Sequence, residues 1–68
     1  MFVAIQQQNL RNPIVFGIGA TKAEALTDAS RNAEAMDGLE VVPCTPELAA
    51  AVKRGTVDCT MTNGVAGV

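Results

Sequence analysis

Histidine, tryptophan and tyrosine are absent from this chain of 68 residues, and Phe2 and Phe16 are its only aromatics. Without histidine the commonest general base and the commonest metal ligand are missing. Without the large aromatics any core is thin, in a chain already near the length at which one core barely offsets conformational entropy. Such chains are commonly supported by self-association or by a partner. Cysteine is scarce too. Cys44 and Cys59 are too few for a structural zinc site without histidine, and they do not form a Cys-x-x-Cys redox spacing. The expectation is no metal and no cofactor, with both thiols buried and inert as in a cytosolic chain. A disulfide would need their strands to be neighbours with close Cβ atoms.

Positive charge is also in short supply. Five basic residues stand against seven acidic ones, and Arg11, Lys22, Arg31, Lys53 and Arg54 are spread along the chain. Nothing there makes the basic surface that phosphate neutralisation needs, so no nucleic-acid partner is expected. No apolar run approaches the ~20 residues of a membrane span. The opening Met-Phe-Val-Ala-Ile-Gln-Gln-Gln lacks the basic start and long apolar centre of a secretion signal. A cytoplasmic protein without membrane contact is expected.

What is present centres on Phe16 to Ala35. Ile14-Val15-Phe16 is an unbroken apolar run, as in a strand covered on both faces. Gly17 and Gly19 follow, read as joints that let the backbone turn where a Cβ would resist. Thr21 and Glu24 form a Thr-x-x-Glu capping box at a helix start. Ala25, Leu26, Ala29, Ala33 and Met36 recur at spacings of three and four, predicting one apolar stripe, and Asp37-Gly38 supplies the stop. Asp28 and Arg31 are placed to pair on the opposite side. A stripe made mostly of alanine lets a helix lie close to a sheet while removing little area from water.

Around this stretch, Phe2 to Gln7 predicts a first strand, with Val3 and Ile5 on one face and Phe2 and Ala4 on the other. Gln8 to Pro13 connects it as a hairpin to the strand at Ile14–Ile18. Leu39 to Cys44 predicts a third strand whose Pro43 suggests an edge or a terminus. Thr45-Pro46-Glu47-Leu48 opens a second helix with Thr at the N-cap and Pro at N1, running to Lys53-Arg54 and stopping at Gly55. Thr56 to Thr62 alternates, with Val57, Cys59 and Met61 facing one way, and Asn63-Gly64 is a strong hairpin signal. The order ββαβαβ(β) predicts one α+β domain over 1–68, a two-layer sandwich. Its sheet is mostly antiparallel and both helices pack on one face.

Chemistry is sparse. Gly17-x-Gly19 precedes a helix start, where free N–H groups attract anions, so Gly17, Gly19, Ala20, Thr21 and Lys22 form a candidate anion site. The dinucleotide fingerprint would need a small residue where Lys22 stands, and the P-loop spacing is missing. No acid/base spacing pairs the carboxylates, so no catalytic residue is assigned. Cys44, just before the second helix, is the thiol whose pKa a helix dipole could lower. Thr56, Thr60 and Thr62 make a polar row suited to a solvated sheet face or a partner surface.

The run Gly-Ile-Gly-Ala-Thr-Lys-Ala-Glu-Ala-Leu-Thr-Asp-Ala-Ser-Arg-Asn-Ala, with the strand before it, resembles a segment of HicB-like antitoxins. In that family a small-residue turn precedes Thr-x-x-Glu-Ala-Leu-x-x-Ala. The resemblance spans residues 14–33 and implies a small α+β domain and a protein that neutralises a partner toxin; it carries over no functional residues. The expected function is a small non-enzymatic protein-interaction module that binds itself, as a homodimer, and/or another protein through a sheet edge or exposed sheet face. A toxin-neutralising or inhibitory partner protein, and an anion binder at Gly17–Lys22, are the alternatives.

Overall fold

Both faces of β1 (Phe2–Gln6) are apolar, and it is the middle strand of the sheet. Val3 and Ala4 are each 0% exposed and Ile5 is 2% exposed, so three consecutive side chains, pointing to alternate faces, are all covered. The computed structural model describes residues 1–6, 13–32, 38–56 and 58–68. Along these run β2 (Ile14–Gly19), α1 (Lys22–Ser30), β3 (Leu39–Pro43), α2 (Pro46–Lys53), β4 (Thr60–Thr62) and β5 (Val65–Gly67). β1 pairs antiparallel with β2 on one side and β3 on the other, giving the order β2-β1-β3. β4 and β5 form a separate two-stranded antiparallel hairpin, joined to the end of β3 by a parallel bridge between Cys44 and Ala66.

The strand-to-helix boundaries follow local chemistry. Thr21 Oγ1 accepts from the Glu24 N–H at 3.1 Å, and Thr45 Oγ1 accepts from the Leu48 N–H at 3.1 Å. Each hydroxyl satisfies a backbone donor that the first helical turn leaves free. Asn63 and Gly64 both take positive φ, 52° and 80°, the pair of values a type I′ hairpin turn requires. Gly55, at φ 104°, ends α2 where a side chain would be strained. The connection at 7–12 and the later part of the first helix's stripe, including Ala33 and Met36, lie outside the described residues, as does Val57.

The α+β class with an antiparallel sheet holds, but the two helices do not share a face. Directly paired residues lie on one side of a sheet, so Ala4, Gly17 and Val41 share one face while Val3, Ile18 and Val42 share the other. α1 lies on the first: a Cβ added to Gly17 would overlap the Ala25 carbonyl oxygen and the Ala29 backbone. α2 lies on the second, where Leu48 is clustered with Val3, Ile5, Val15, Val42, Cys59 and Ala66. The reason is size matching. Where α1 crosses it, the first face is small (Ala4, Gly17, Gly19) and accepts the alanine-lined helix. The other is built of valine and isoleucine and accepts the larger Leu48 and Val52 together with the hairpin.

β2 is an outer strand of the sheet, yet both its faces are covered as expected: Gly17 lies beneath α1 and Val15 joins the cluster around Leu48. Two further expectations change. Leu26, assigned to the buried stripe, is 39% exposed, because the helix rests on Ala25 and Ala29. The fourth strand is short. Asp58 bridges Ile14 and the Cys59 N–H donates to the Pro13 carbonyl at 3.3 Å before Thr60 turns to pair with β5. No helix among the described residues is long and apolar enough to cross a membrane.

Candidate functional site

Gly17 and Gly19 are strand residues without positive φ, so their lack of a side chain answers to crowding rather than to turning, contrary to the expectation from sequence. A Cβ on Gly19 would come within 2.6 Å of the Ala25 backbone nitrogen. Gly17 lies farther along, beneath Ala25 and Ala29, and is buried there. At the helix start, Thr21 Oγ1 accepts from the Glu24 N–H and also donates to Glu24 Oε1 at 3.3 Å. Lys22 extends back over the Phe2 ring, with Nζ 6.0 Å from the ring centre, a cation–π contact.

The two cysteines are free thiols, Cys44 half-buried and Cys59 2% exposed. Burial pushes both thiols up from their ordinary pKa, and for Cys59 the neighbouring Asp58 carboxylate and Cys44 add to the effect. This runs against the expectation of an activated Cys44: desolvation of the thiolate outweighs the lowering effect of the N-terminal ammonium. Cys59 Sγ donates instead to the Pro13 carbonyl at 3.5 Å. A raised folded-state pKa means that the folded protein holds its thiol protons after the unfolded chain releases them. Stability from this source is therefore complete below the free-thiol pKa of about 8.5 and falls as pH rises beyond it. With an aromatic disulfide reagent at pH 8, Cys59 is expected to react at least about a hundredfold more slowly than in urea, and Cys44 faster than Cys59. Equal rates for Cys59 in folded and unfolded chains would refute its burial.

The sheet has two outer edges, and they are treated differently. Along β2 the edge is closed. The Ile18 N–H donates to Asp28 Oδ2 at 3.0 Å, and Asn32 Nδ2 donates to the Phe16 carbonyl at 3.0 Å. The Asp28 side chain of α1 and the Asn32 side chain just past its end thus stand in for a neighbouring strand, and the segment at Asp58–Cys59 closes the rest through Ile14 and Pro13. Asp28, expected from sequence to pair with Arg31, is used on the strand. Beside this edge a groove of about 470 Å³ separates Asp28 and Asn32 from Val52, Lys53 and Thr56.

Along β3 no described residue pairs with the outer edge between Leu39 and Val42; at Pro43 the parallel bridge between Cys44 and Ala66 brings β5 alongside. Pro43 has no N–H to present, a substitution that an edge tolerates and a central strand does not. On the α1 face of this strand, half-buried Leu39 and Val41 and exposed Pro43 adjoin half-buried Phe2. Leu26 sits one helical turn from Lys22, which covers Phe2, so its exposed side chain borders the same shelf. At β3 a sheet edge thus lies beside apolar side chains, and Pro43 was the sign of that edge in the sequence. No family model, no curated protein and no solved structure matches this chain.

Proposed function

We propose that the chain is a small non-enzymatic interaction module that works as an assembly of identical copies, with β3 and its apolar shelf as the contact surface. The observation that carries this reading is the contrast between the edges. β2 is shielded by Asp28, Asn32 and the Asp58–Cys59 segment, while the outer edge over Leu39–Val42 is left without a partner strand among the described residues. Unshielded edges are templates for another strand, and proteins that must stay single close them. The shelf beside the edge adds apolar area, which in a thin-cored chain is the main source of association energy. Protonated, buried thiols favour contact over covalent catalysis.

Sedimentation equilibrium tests the reading. The average mass is expected to rise above the 7.0 kDa of one chain as concentration increases from about 1 to about 100 μM, the range of modest β-edge affinities. A mass that stays at the single-chain value throughout would sink it.

A further inference from the structure

We propose that the β4–β5 hairpin, together with Asp58 and Cys59 ahead of it, is a strap that closes the five strands into a ring and opens as a unit before the rest of the fold. The ring follows from the pairing. β2, β1 and β3 are neighbours in the three-stranded sheet, and β4 and β5 pair with each other. The parallel bridge Cys44–Ala66 joins the end of β3 to β5, and the antiparallel bridge Ile14–Asp58 joins the start of β2 to the chain entering β4. The circuit β2-β1-β3-β5-β4 therefore returns to β2.

The side chains agree with a ring. Directly paired residues share a face, and so do alternate residues along one strand. From Val42 the face passes to Cys44 along the chain, across the bridge to Ala66, across the hairpin to Met61, and back along the chain to Cys59. All five pack in one cluster with Val3, Ile5, Val15 and Leu48. Every strand, or the residue leading into it, thus turns a side chain to a single interior, and α2 covers that interior with Leu48.

The seams of the ring are weaker than its sheet. β1 is paired along its whole length on both sides, whereas each seam is a single bridged position among the described residues. At the first, the Thr45 N–H donates to the Ala66 carbonyl at 2.9 Å. At the second, the Pro13 carbonyl accepts from the Cys59 N–H at 3.3 Å and from Cys59 Sγ at 3.5 Å. The strap's own buried side chains, Cys59 and Ala66, are small, while the largest enclosed ones among the described residues, Leu48 and Val3, lie outside it. The hairpin ladder and its Asn63-Gly64 turn are local and travel with the strap. Lifting it bares Cys59 and opens one side of the interior, while α2 stays over the valines through Leu48. Less surface meets water than in unfolding, so this opening lies lower in free energy.

Cys59 reports the opening, independently of any self-association. It is labelled with an aromatic disulfide reagent at about 1 μM chain, in a Cys44→Ala background, at rising urea below the unfolding transition. The logarithm of the labelling rate is expected to climb with urea at less than about half the slope of global unfolding. The opening constant in water is expected to exceed the global unfolding constant at least about tenfold. A steeper slope, or no labelling until the chain unfolds, overturns the strap. Should Cys44→Ala fail to fold by circular dichroism, the same slope is read from the slower labelling phase of the wild type. Gly17→Ala supplies a second reading, because it disturbs α1 on the face of the sheet away from the interior. Where that variant folds, global stability is expected to fall while Cys59 labelling in water stays within about twofold of the background. Labelling that accelerates by the same factor as the folding constant drops would mean that Cys59 is reached only through global unfolding, and there is no strap.

Discussion

Gly17→Ala is expected to lower the melting temperature by about 4–24 °C, and Gly17→Val to abolish cooperative folding. The added Cβ meets the Ala25 carbonyl oxygen and the Ala29 nitrogen and Cα, all backbone atoms of α1. A flexible side chain could swing away; a helix backbone must lift as a unit, undoing the contact that buries Ala25 and Ala29. Overpacking of this kind costs about 1–3 kcal/mol for one methyl group. A chain of this length has only about 3–10 kcal/mol of stability to lose. For so small a domain each 1 kcal/mol shifts the midpoint by about 4–8 °C. Thermal unfolding followed by circular dichroism is the measurement. An alanine variant melting within about 3 °C of the wild type would mean that α1 does not approach the sheet this closely.

Leu48→Ala is the second large effect. Leu48 is 0% exposed and is the largest fully enclosed side chain among the described residues, at the meeting point of α2, the β1 and β3 valines and the hairpin. Truncating a leucine in such a place costs about 2–5 kcal/mol, the removed burial plus the cavity that remains. The urea midpoint should fall accordingly, to the point where a substantial fraction of the variant is unfolded without denaturant. Leu26 is the built-in comparison, since its spacing in the sequence marks it as equally apolar in role. Exposed on the flank of α1, Leu26→Ala is expected to change stability by no more than about 0.5 kcal/mol. If Leu26 proved the costlier of the two, the assignment of α2 to the valine face would be wrong.

The pair Leu26 and Leu48 shows where reading the sequence runs out. Both sit at helical spacing among alanines, and periodicity assigns both to a core. Which is enclosed depends on what each helix rests against. Alternation along β1 already carries the answer in part. Its two faces differ in side-chain size, Ala4 against Val3 and Ile5, and β2 repeats the contrast with Gly17 against Val15 and Ile18. Read as two differently sized faces, these strands call for two helices of different bulk on opposite sides. The expectation of one shared face came from counting layers without weighing volumes. The glycines misled for a related reason. A glycine before a helix is read locally as a turn residue, whereas the demand on Gly17 comes from Ala25 and Ala29, one to two helical turns away.

The candidate surface was legible only in outline. Pro43 marked β3 as an edge, and the thin core pointed to a partner. Asp28 and Asn32 gave no sign in the sequence that they close the other edge, because on a helix they read as ordinary solvated residues. Their role exists only once α1 is laid across β2. The reversal at Cys44 has the same origin: its place before a helix is local, but the burial that raises its pKa is not.

By itself the sequence determined what depends on a few neighbouring residues. Thr21 and Thr45 start their helices, Asn63-Gly64 turns a hairpin, and β1 and β2 alternate, because caps, positive φ and strand period act within one turn or one pairing. The tertiary structure alone decided that β1 is central, that the helices lie on opposite faces, that Leu26 stays in water, and that one edge of the sheet is shielded while the other has no partner strand along most of its length among the described residues. Those outcomes turn on how volumes and peptide groups from distant segments meet, and no short window of residues contains both partners.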